Sequence, residues 1–498
     1  MFASLPFGLS PAPYVFTKLM RPIVAHWRAQ GFRCFMYLDD GSGAQPTYDE
    51  CLRMSHTMRR DLSELGLLAH QAPPKSFWTP RRVGELLGYI INLEDGSFQV
   101  PPRRTNQFLD LISRALSSDQ ISARSAARIT GNLVSMGLAL GPVTRLWSRS
   151  LFAFIANSPS WDSLHSLPQP ARDELLFWRH NFTSLLGHPI WSPSPSTDVI
   201  TYSDASNHAW GGYVVTLGSG YTARGNFIDR LAAPFTSSTY RELLGTRLVL
   251  ESFIHLLSNR RVLHRSDNQN VVRILSGGSR VPHLQHEAVA IYSLCSKHHI
   301  HLAADWIPRE ENDKADYLSK IFDSEDYKLN RAVFESLHTL WGPFSYDRFA
   351  SCNSFQLPQF SSRWWNPHAH TIDAFTANWS TDMNWIFPPP RLIPRILSKI
   401  CQDNCCGTLV LPFWRSASWW PLLAPDGSNL GPDFINWSDL PTTPDLLSGA
   451  PRGSIFDRSP LGFRLLAVRF CRCGSCQPYQ PIQTPVVTTP CFIPGICP

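Results

Sequence analysis

Four acidic residues, Asp204, Glu242, Asp267 and Asp316, lie 38, 25 and 49 positions apart. Each taken singly has an ordinary use: Asp204 and Asp267 as turn residues, Glu242 closing a capping box with Thr239, Asp316 complementing a helix dipole. Taken together, two end predicted strands and two open predicted helices, a placement from which a mixed sheet can gather all four at one point. Four carboxylates in one place cannot all stay ionised without cations, so the set implies divalent metal. A second acidic feature, Asp39-Asp40, closes the apolar run Phe35-Met36-Tyr37-Leu38. Successive strand residues point to opposite faces, so a tight turn is needed to bring both carboxylates toward one point. There they suit a divalent ion that keeps some of its waters, as phosphoryl-transfer sites require; a solvated hairpin tip is the plainer reading of the same residues.

The elements that would position the four acids follow from local pattern. Residues 199–204 read as a buried strand ending at Asp204, 210–215 as the returning strand and 221–227 as a third. A helix opens at Ser238, with Leu243, Leu250, Ile254 and Leu257 on one face and Glu242 in its first turn. Residues 261–266 form a strand ending at Asp267, 300–306 another, and Asn312-Asp313-Lys314-Ala315-Asp316 starts a closing helix. Composition divides the chain into five segments: 1–100 with short strands, 101–192 with helical spacing of Leu109, Ile112 and Leu116, 198–322, 330–425, and 426–498. Eight of the seventeen tryptophans lie between 341 and 420, and the last segment has eleven prolines and no lysine, so an irregular tail is expected there.

With 498 residues, 43% of them hydrophobic, the chain is long enough for three or four domains with cores of their own. The formal charge is 45 − 39 = +6, and residues 1–192 hold 19 − 14 = +5 of it, a mild pointer to a polyanionic partner. Arginine outnumbers lysine 38 to 7, which suits phosphate recognition but equally follows from a biased gene composition. No run of about 18 apolar residues exists, and Pro6, Pro11 and Pro13 interrupt the region where a signal peptide needs an apolar core. Membrane spanning and secretion are therefore not expected. The twelve cysteines do not form a compact framework and read as reduced, intracellular thiols. Cys471, Cys473 and Cys476 have the residue type for zinc, but Cys491 and Cys497 lack ligand spacing, so accidental tail cysteines are expected.

Motif by motif, residues 1–100 resemble the later half of a reverse transcriptase palm. The matching pieces are the glycine loop Leu5-Pro6-Phe7-Gly8-Leu9-Ser10, the metal loop Tyr37-Leu38-Asp39-Asp40, the lysine segment at Lys75-Ser76 and the primer-gripping hairpin Leu86-Leu87-Gly88-Tyr89. The resemblance implies that Gly8 lets backbone approach an incoming nucleotide and that Asp39 ligates metal with Asp40 beside it. Nothing after Met1 corresponds to the family's earlier palm strand and its first essential aspartate, so this chain alone is not expected to polymerise. Residues 198–322 resemble a ribonuclease H domain. That implies Asp204, Glu242, Asp267 and Asp316 as catalytic and metal-binding acids, with Asn312 ahead of the last one. Two Mg²⁺ ions about 4 Å apart, replaceable by Mn²⁺, would serve hydrolysis of the RNA strand of RNA–DNA hybrids. Such a domain selects by helix shape and the 2′-OH. The mobile histidine of some family members is not placed; His298, His299 and His301 flank or occupy a strand and read as structural.

The wording of these motifs, including Trp306-Ile307-Pro308-Arg309-Glu310-Glu311-Asn312-Asp313, is similar to DIRS-type retrotransposon polyproteins, which mobilise with a tyrosine recombinase. Segments between Asp347 and Pro390 are similar in order to Dam-type adenine methyltransferases. Phe387-Pro388-Pro389-Pro390 stands where that family has an Asn/Asp-Pro-Pro-Tyr loop, which implies a degenerate domain at 330–425. The fold class expected is multidomain α/β and α+β: a partial polymerase palm, a helical thumb or connection at 101–192, and a ribonuclease H-like mixed sheet with flanking helices. The function expected is a Mg²⁺-dependent nuclease of cytoplasm or nucleus, with nucleic acid, RNA–DNA hybrid and other retroelement-encoded proteins as partners. A catalytically inert nucleic-acid-binding relic is the alternative.

Overall fold

A computed structural model describes residues 8–70, 73, 75–190, 198–216, 219–227, 237–321, 323, 325–427, 429–449 and 454–472. Leu5, Pro6 and Phe7 of the glycine loop, the linker 191–196, and Cys473, Cys476, Cys491 and Cys497 lie outside the described residues. The protein is mixed α/β and multidomain, and it divides into two units: 1–196 with 273–292, and 197–272 with 293–498. Among the described residues no helix is long and apolar enough to cross a membrane.

In the first unit, helix Ala12–Ala29, the hairpin Arg33–Tyr37 with Asp40–Ala44, and helix Tyr48–Glu64 close on Met20, Trp27, Cys34, Met54 and Met58. The second helix starts on a capping box: the Thr47 hydroxyl accepts from the Glu50 N–H at 3.3 Å, and the Glu50 carboxylate accepts from the Thr47 N–H at 3.2 Å. Hairpin register pairs Tyr37 with Asp40, so Leu38-Asp39 is a two-residue turn, and Leu38 sits at φ +55°, a costly backbone for leucine. A second hairpin, Val83–Leu86 with Tyr89–Asn92, turns at Leu87-Gly88, both at positive φ, which matches the twist of its strands.

Helices Pro102–Ser117, Ala123–Ser135, Arg149–Asn157 and Gln169–Asn181 follow, as the apolar spacing required, and bury Phe108, Ile112, Leu133, Leu151, Leu175 and Trp178. Glu174 lies inside this core and accepts from the N–H groups of Ser150 and Leu151 at 2.7 and 2.9 Å, satisfying the open end of helix Arg149–Asn157. Burial pushes its carboxyl up to about 7 against those two bonds. Residues 273–292, expected within 198–322, gather with these helices: Arg149 donates to the Gly277 carbonyl at 2.9 Å and Gln285 to that of Leu146 at 2.7 Å.

The second unit opens with a five-stranded sheet. Its strands are β1 (Val199–Ala205), β2 (Ala209–Thr216), β3 (Ser219–Asn226), β4 (Arg261–Ser266) and β5 (His301–Trp306), in the order β3-β2-β1-β4-β5. The first three are antiparallel neighbours, while β1, β4 and β5 run parallel. Helix α1 (Ser238–Ser252) packs on β1 and β2, and α2 (Asp313–Lys320) packs on β2 and β1. The α1 cap is Ser237, which accepts from the Tyr240 N–H at 3.3 Å, in place of a box between Thr239 and Glu242. Gly211 is what lets α2 lie so close: a Cβ there would stand 2.5 Å from Ser319 N and 2.6 Å from Leu318 C.

A second sheet follows, built from β6 (Tyr346–Asp347), β7 (Ser361–Ser362), β8 (Thr371–Ile372), β9 (Met383–Ile386), β10 (Cys406–Pro412), β11 (Phe434–Asp439) and β12 (Leu465–Cys471). Five pair in the order β6-β9-β10-β12-β11, and a parallel bridge between Asp347 and Phe360 links β6 to the parallel pair β7–β8. Here the expected irregular tail is corrected for its described residues up to 472, because β12 is an interior strand of this sheet; 473–498 lie outside the described residues. Leu465 to Val468 are all buried, so the strand shows no alternation, and its surroundings are rich in proline and glycine. The expectation of reduced thiols is also corrected at one pair. Cys406 and Cys471 are register partners across β10 and β12, with Cα atoms 4.1 Å apart, and are disulfide-bonded.

Gly211→Ala is expected to destabilise the first sheet by about 1–3 kcal/mol, because the added methyl meets backbone. Gly131→Ala, on helix Ala123–Ser135 with open space around its Cβ, is expected to stabilise by about 0.5–1 kcal/mol. Amide hydrogen exchange in β2 and in that helix reads both.

Candidate metal centre

Parallel neighbours β1 and β4 end side by side, so residues at their C-terminal ends meet at one edge of the sheet. β1 delivers Asp204 there, 6% exposed, and Asp267 follows β4 directly, with its carbonyl held by the Trp306 indole N–H at 3.0 Å. α1 lies across β1 and turns Glu242, 8% exposed, toward the same edge. One ligand oxygen from each of Asp204, Glu242 and Asp267 lies within 4.8 Å of the others, and among the described residues no other group of three metal-ligating side chains forms.

The electrostatics are those of a site built for a cation. Burial, then the charges of Asp204 and Asp267, raise the Glu242 carboxyl well above its ordinary range, against a bond from the Ala205 backbone. Asp204 is raised too, by burial first, with a bond from the Ser319 hydroxyl pulling it down and Asp267 and Asp316 pushing it up. Glu242 Oε2 and Asp267 Oδ1 are buried with no hydrogen-bond partner, and so is Oδ1 of the fully buried Asn312, whose amide donates to the Ser203 carbonyl at 3.0 Å. Orphaned buried acceptors that are all oxygen, beside like-charged carboxyls, fit a hard divalent cation with Asp204, Glu242 and Asp267 as its holders.

Asp316, the fourth expected member, stands apart from the other three. Lys320 Nζ binds both its carboxylate oxygens at 2.5 and 2.7 Å, and Arg309 donates to Oδ1 at 2.9 Å. Burial pushes its carboxyl up, but these two cations outweigh that and hold it below its ordinary value. Asp39 and Asp40 are exposed at their hairpin tip, with Tyr37 62% exposed, and Lys75 and Gly8 are exposed as well. Gly8 has φ +90°, which glycine alone adopts without strain.

Several residues of the site were not singled out by sequence reasoning. Ser319 and Lys320 carry no motif, and Arg309 stands only within the 306–313 motif with no role of its own, although the i, i+4 spacing of Asp316 and Lys320 marks a same-face pair. His264 is fully buried beneath the acids. Its Nδ1 bonds Thr201 Oγ1 at 3.0 Å, and its Nε2 meets the hydroxyls of Ser203 and Thr246 at 3.1 and 3.2 Å. Thr246 in turn donates to the Glu242 carbonyl at 2.9 Å, so one imidazole ties β1, β4 and α1 together. Burial pushes its pKa down to about 4. The period-2 burial of Val262, His264 and Ser266 was the signal available for it. His301 opens β5 opposite Arg261, at the other end of the parallel strands from the acids.

No family model and no curated protein matches the sequence. Among solved structures, RNase H1 from the halophilic archaeon Halobacterium salinarum NRC-1 is 22% identical over 24% of this chain and 92% of its own, at a TM-score of 0.20. LC11-RNase H1 in complex with RNA/DNA hybrid is 21% identical over 24% and 92%, also at 0.20. The foamy viral protease-reverse transcriptase in complex with RNA/DNA hybrid is 14% identical over 61% of this chain and 39% of its own, at 0.31. The chain thus spans well under half the length of that viral protein.

Two pH effects follow. The His264 pKa is depressed, so between about 6.5 and about 4 the unfolded state binds the proton and the folded state does not. Stability from this group is full above pH 6.5 and is lost as pH falls to about 4, by roughly 3 kcal/mol; thermal unfolding across that window should show the loss, and His264→Leu should flatten it. Glu242 is raised, so its contribution is full below about 4.5 and is lost as pH rises through the folded value. Glu242→Gln should therefore raise the metal-free melting temperature at pH 8, and a rise on adding Mn²⁺, expected for the parent protein, should be absent in the variant.

Proposed function

We propose that the sheet β1–β5 with its helices is a metal-dependent nuclease that hydrolyses the RNA strand of RNA–DNA hybrids within a retroelement protein. The observation that carries this is the triad Asp204, Glu242 and Asp267, whose ligand oxygens lie within 4.8 Å and include two buried ones without partners. Bound there, Mg²⁺ or Mn²⁺ would supply activation of a water and stabilisation of the leaving 3′ oxygen. The protein's own part is positional. Ser319 orients Asp204, the His264 network fixes the three elements that carry the acids, and Trp306, 44% exposed, offers an aromatic face beside Asp267.

The remaining segments fit a DIRS-type polyprotein in this reading. The exposed hairpin of Asp39 and Asp40 belongs to a palm, with Gly8, Tyr37 and Lys75 in the same remnant, and the helices between residues 101 and 192 take the place of a thumb. In the second sheet a cavity of about 360 Å³ opens at the C-terminal ends of β6 to β9, where open α/β sheets take ligands. Phe387 and Pro389 line it, and Phe387 packs on Tyr327 and Phe456. With neither an amide nor a tyrosine in the Pro-Pro loop, this domain is a remnant that packs or binds nucleic acid without methyl transfer. The intracellular setting, cytoplasm or nucleus, belongs to the same proposal. One observation favours an inert relic instead: Asp316 is already neutralised by Lys320 and Arg309.

Cleavage of a labelled RNA–DNA hybrid by the purified chain in Mg²⁺ decides between the two readings. Cutting of hybrid RNA but not duplex RNA is expected, with Asp267→Asn lowering the rate by at least about 100-fold. No cleavage in either Mg²⁺ or Mn²⁺ by folded protein overturns the nuclease.

A further inference from the structure

Asp316 is the acid whose surroundings differ in kind from the rest. Asp204, Glu242 and Asp267 face one another with oxygens to spare, whereas both oxygens of Asp316 are taken by the Lys320 ammonium and one is shared with Arg309. We propose that Lys320, supported by Arg309, is a built-in cation that competes with metal for Asp316. Metal binding is thereby split into two unequal steps: a first ion on Asp204, Glu242 and Asp267, and a second only after Asp316 has released Lys320. The inference rests on the nuclease reading of the site and names a device that regulates it.

Charge counting carries the argument. Four ionised acids bring −4, Lys320 with Arg309 brings +2, and Arg241, whose charge acts on Glu242, brings one more, so one divalent ion takes the site to +1. A second would leave +3 unless side-chain cations depart. The backbone cannot relieve this, because α2 is pressed against β2 at Gly211 and pinned by the buried Ser319, whose hydroxyl is bonded to Asp204. Side chains can. The Lys320 side chain is 51% exposed and that of Arg309 68%, so either swings into water without opening the core. Lys320 also reaches beyond its partner, since its charge lowers the Asp204 carboxyl, while Arg309 feels both Asp267 and Asp204. Lys320 therefore acts on Asp204 as well as Asp316, and Arg309 on Asp204, Asp267 and Asp316. Lys320 is a positioning residue here, acting through Asp316.

The test is Mn²⁺ binding to the full chain, followed by electron paramagnetic resonance of free ion and by calorimetry at fixed pH and salt. Two steps are expected, with the second weaker. Lys320→Met keeps the apolar stem and removes the charge, and should tighten the second step by about tenfold while leaving the first unchanged. Lys320→Arg should restore the parent pattern, and Asp316→Asn should remove the second step alone. An unchanged or weakened second step in Lys320→Met, or two equal steps in the parent, overturns the competition while leaving the triad and its nuclease reading intact. Absence of any Mn²⁺ binding by the folded parent chain overturns both.

Discussion

Everything at this site depends on holding three carboxyl groups together, mostly out of water, against their mutual repulsion. Asp204 and Glu242 are buried and Asp267 is half-buried, and burial is the first cause of the upward shift at both Asp204 and Glu242. An arrangement of this kind persists only when neighbouring structure over-determines it. The neutral His264 does so from below, joined to Thr201 and Ser203 on β1 and to Thr246 on α1. Ser319 does so from the side. Two of the three acids also come from adjacent parallel strands, whose register is fixed by backbone bonds and cannot yield to side-chain repulsion. The register of the sheet thus holds the acids together, and a bound cation would relieve their repulsion without moving backbone.

Much of this was legible in the sequence, for a physical reason. β1 and β4 are bounded by polar residues at both ends, α1 begins after a serine cap, and the acids fall at element termini, where local pattern is most informative. What the sequence could not carry was distance. Nothing in the spacing of 49 residues between Asp267 and Asp316 says that Asp316 would face Lys320 and Arg309 instead of the triad. The i, i+4 pairing on α2 was visible; that it would win over the cluster depends on where α2 lands on β2, which Gly211 decides. His264 was hidden similarly, since an inward-facing histidine in a strand looks like any core residue until its three hydroxyl partners, drawn from two other elements, are seen.

The second sheet was read less well because its strongest strands lack a sequence period. β10 is buried at all seven positions, and β12 at the four positions from Leu465 to Val468. Continuous apolar runs of that length do not distinguish strand from helix. Proline and glycine around them pointed toward disorder, yet β12 returns between β10 and β11. The Cys406–Cys471 pair is invisible for the same reason: 65 residues separate the two, and only the antiparallel register of β10 and β12 makes them neighbours.

That second sheet also bears on the first. β3 is the outer strand of the first sheet, and an uncovered edge invites pairing with other chains. Here the edge is occupied by the chain itself. Trp365 donates its backbone N–H to the Thr222 carbonyl at 3.1 Å and accepts from the Arg224 N–H at 3.0 Å, forming a parallel bridge with Ala223. The Arg224 guanidinium then lies over the Trp364 ring, and its charge reaches the acids at Asp323 and Asp326. Residues 364–365 therefore serve as a fragment of strand on a sheet they do not belong to. The loop that carries them thereby satisfies backbone groups at the border of the sheet that holds Asp204, Glu242 and Asp267.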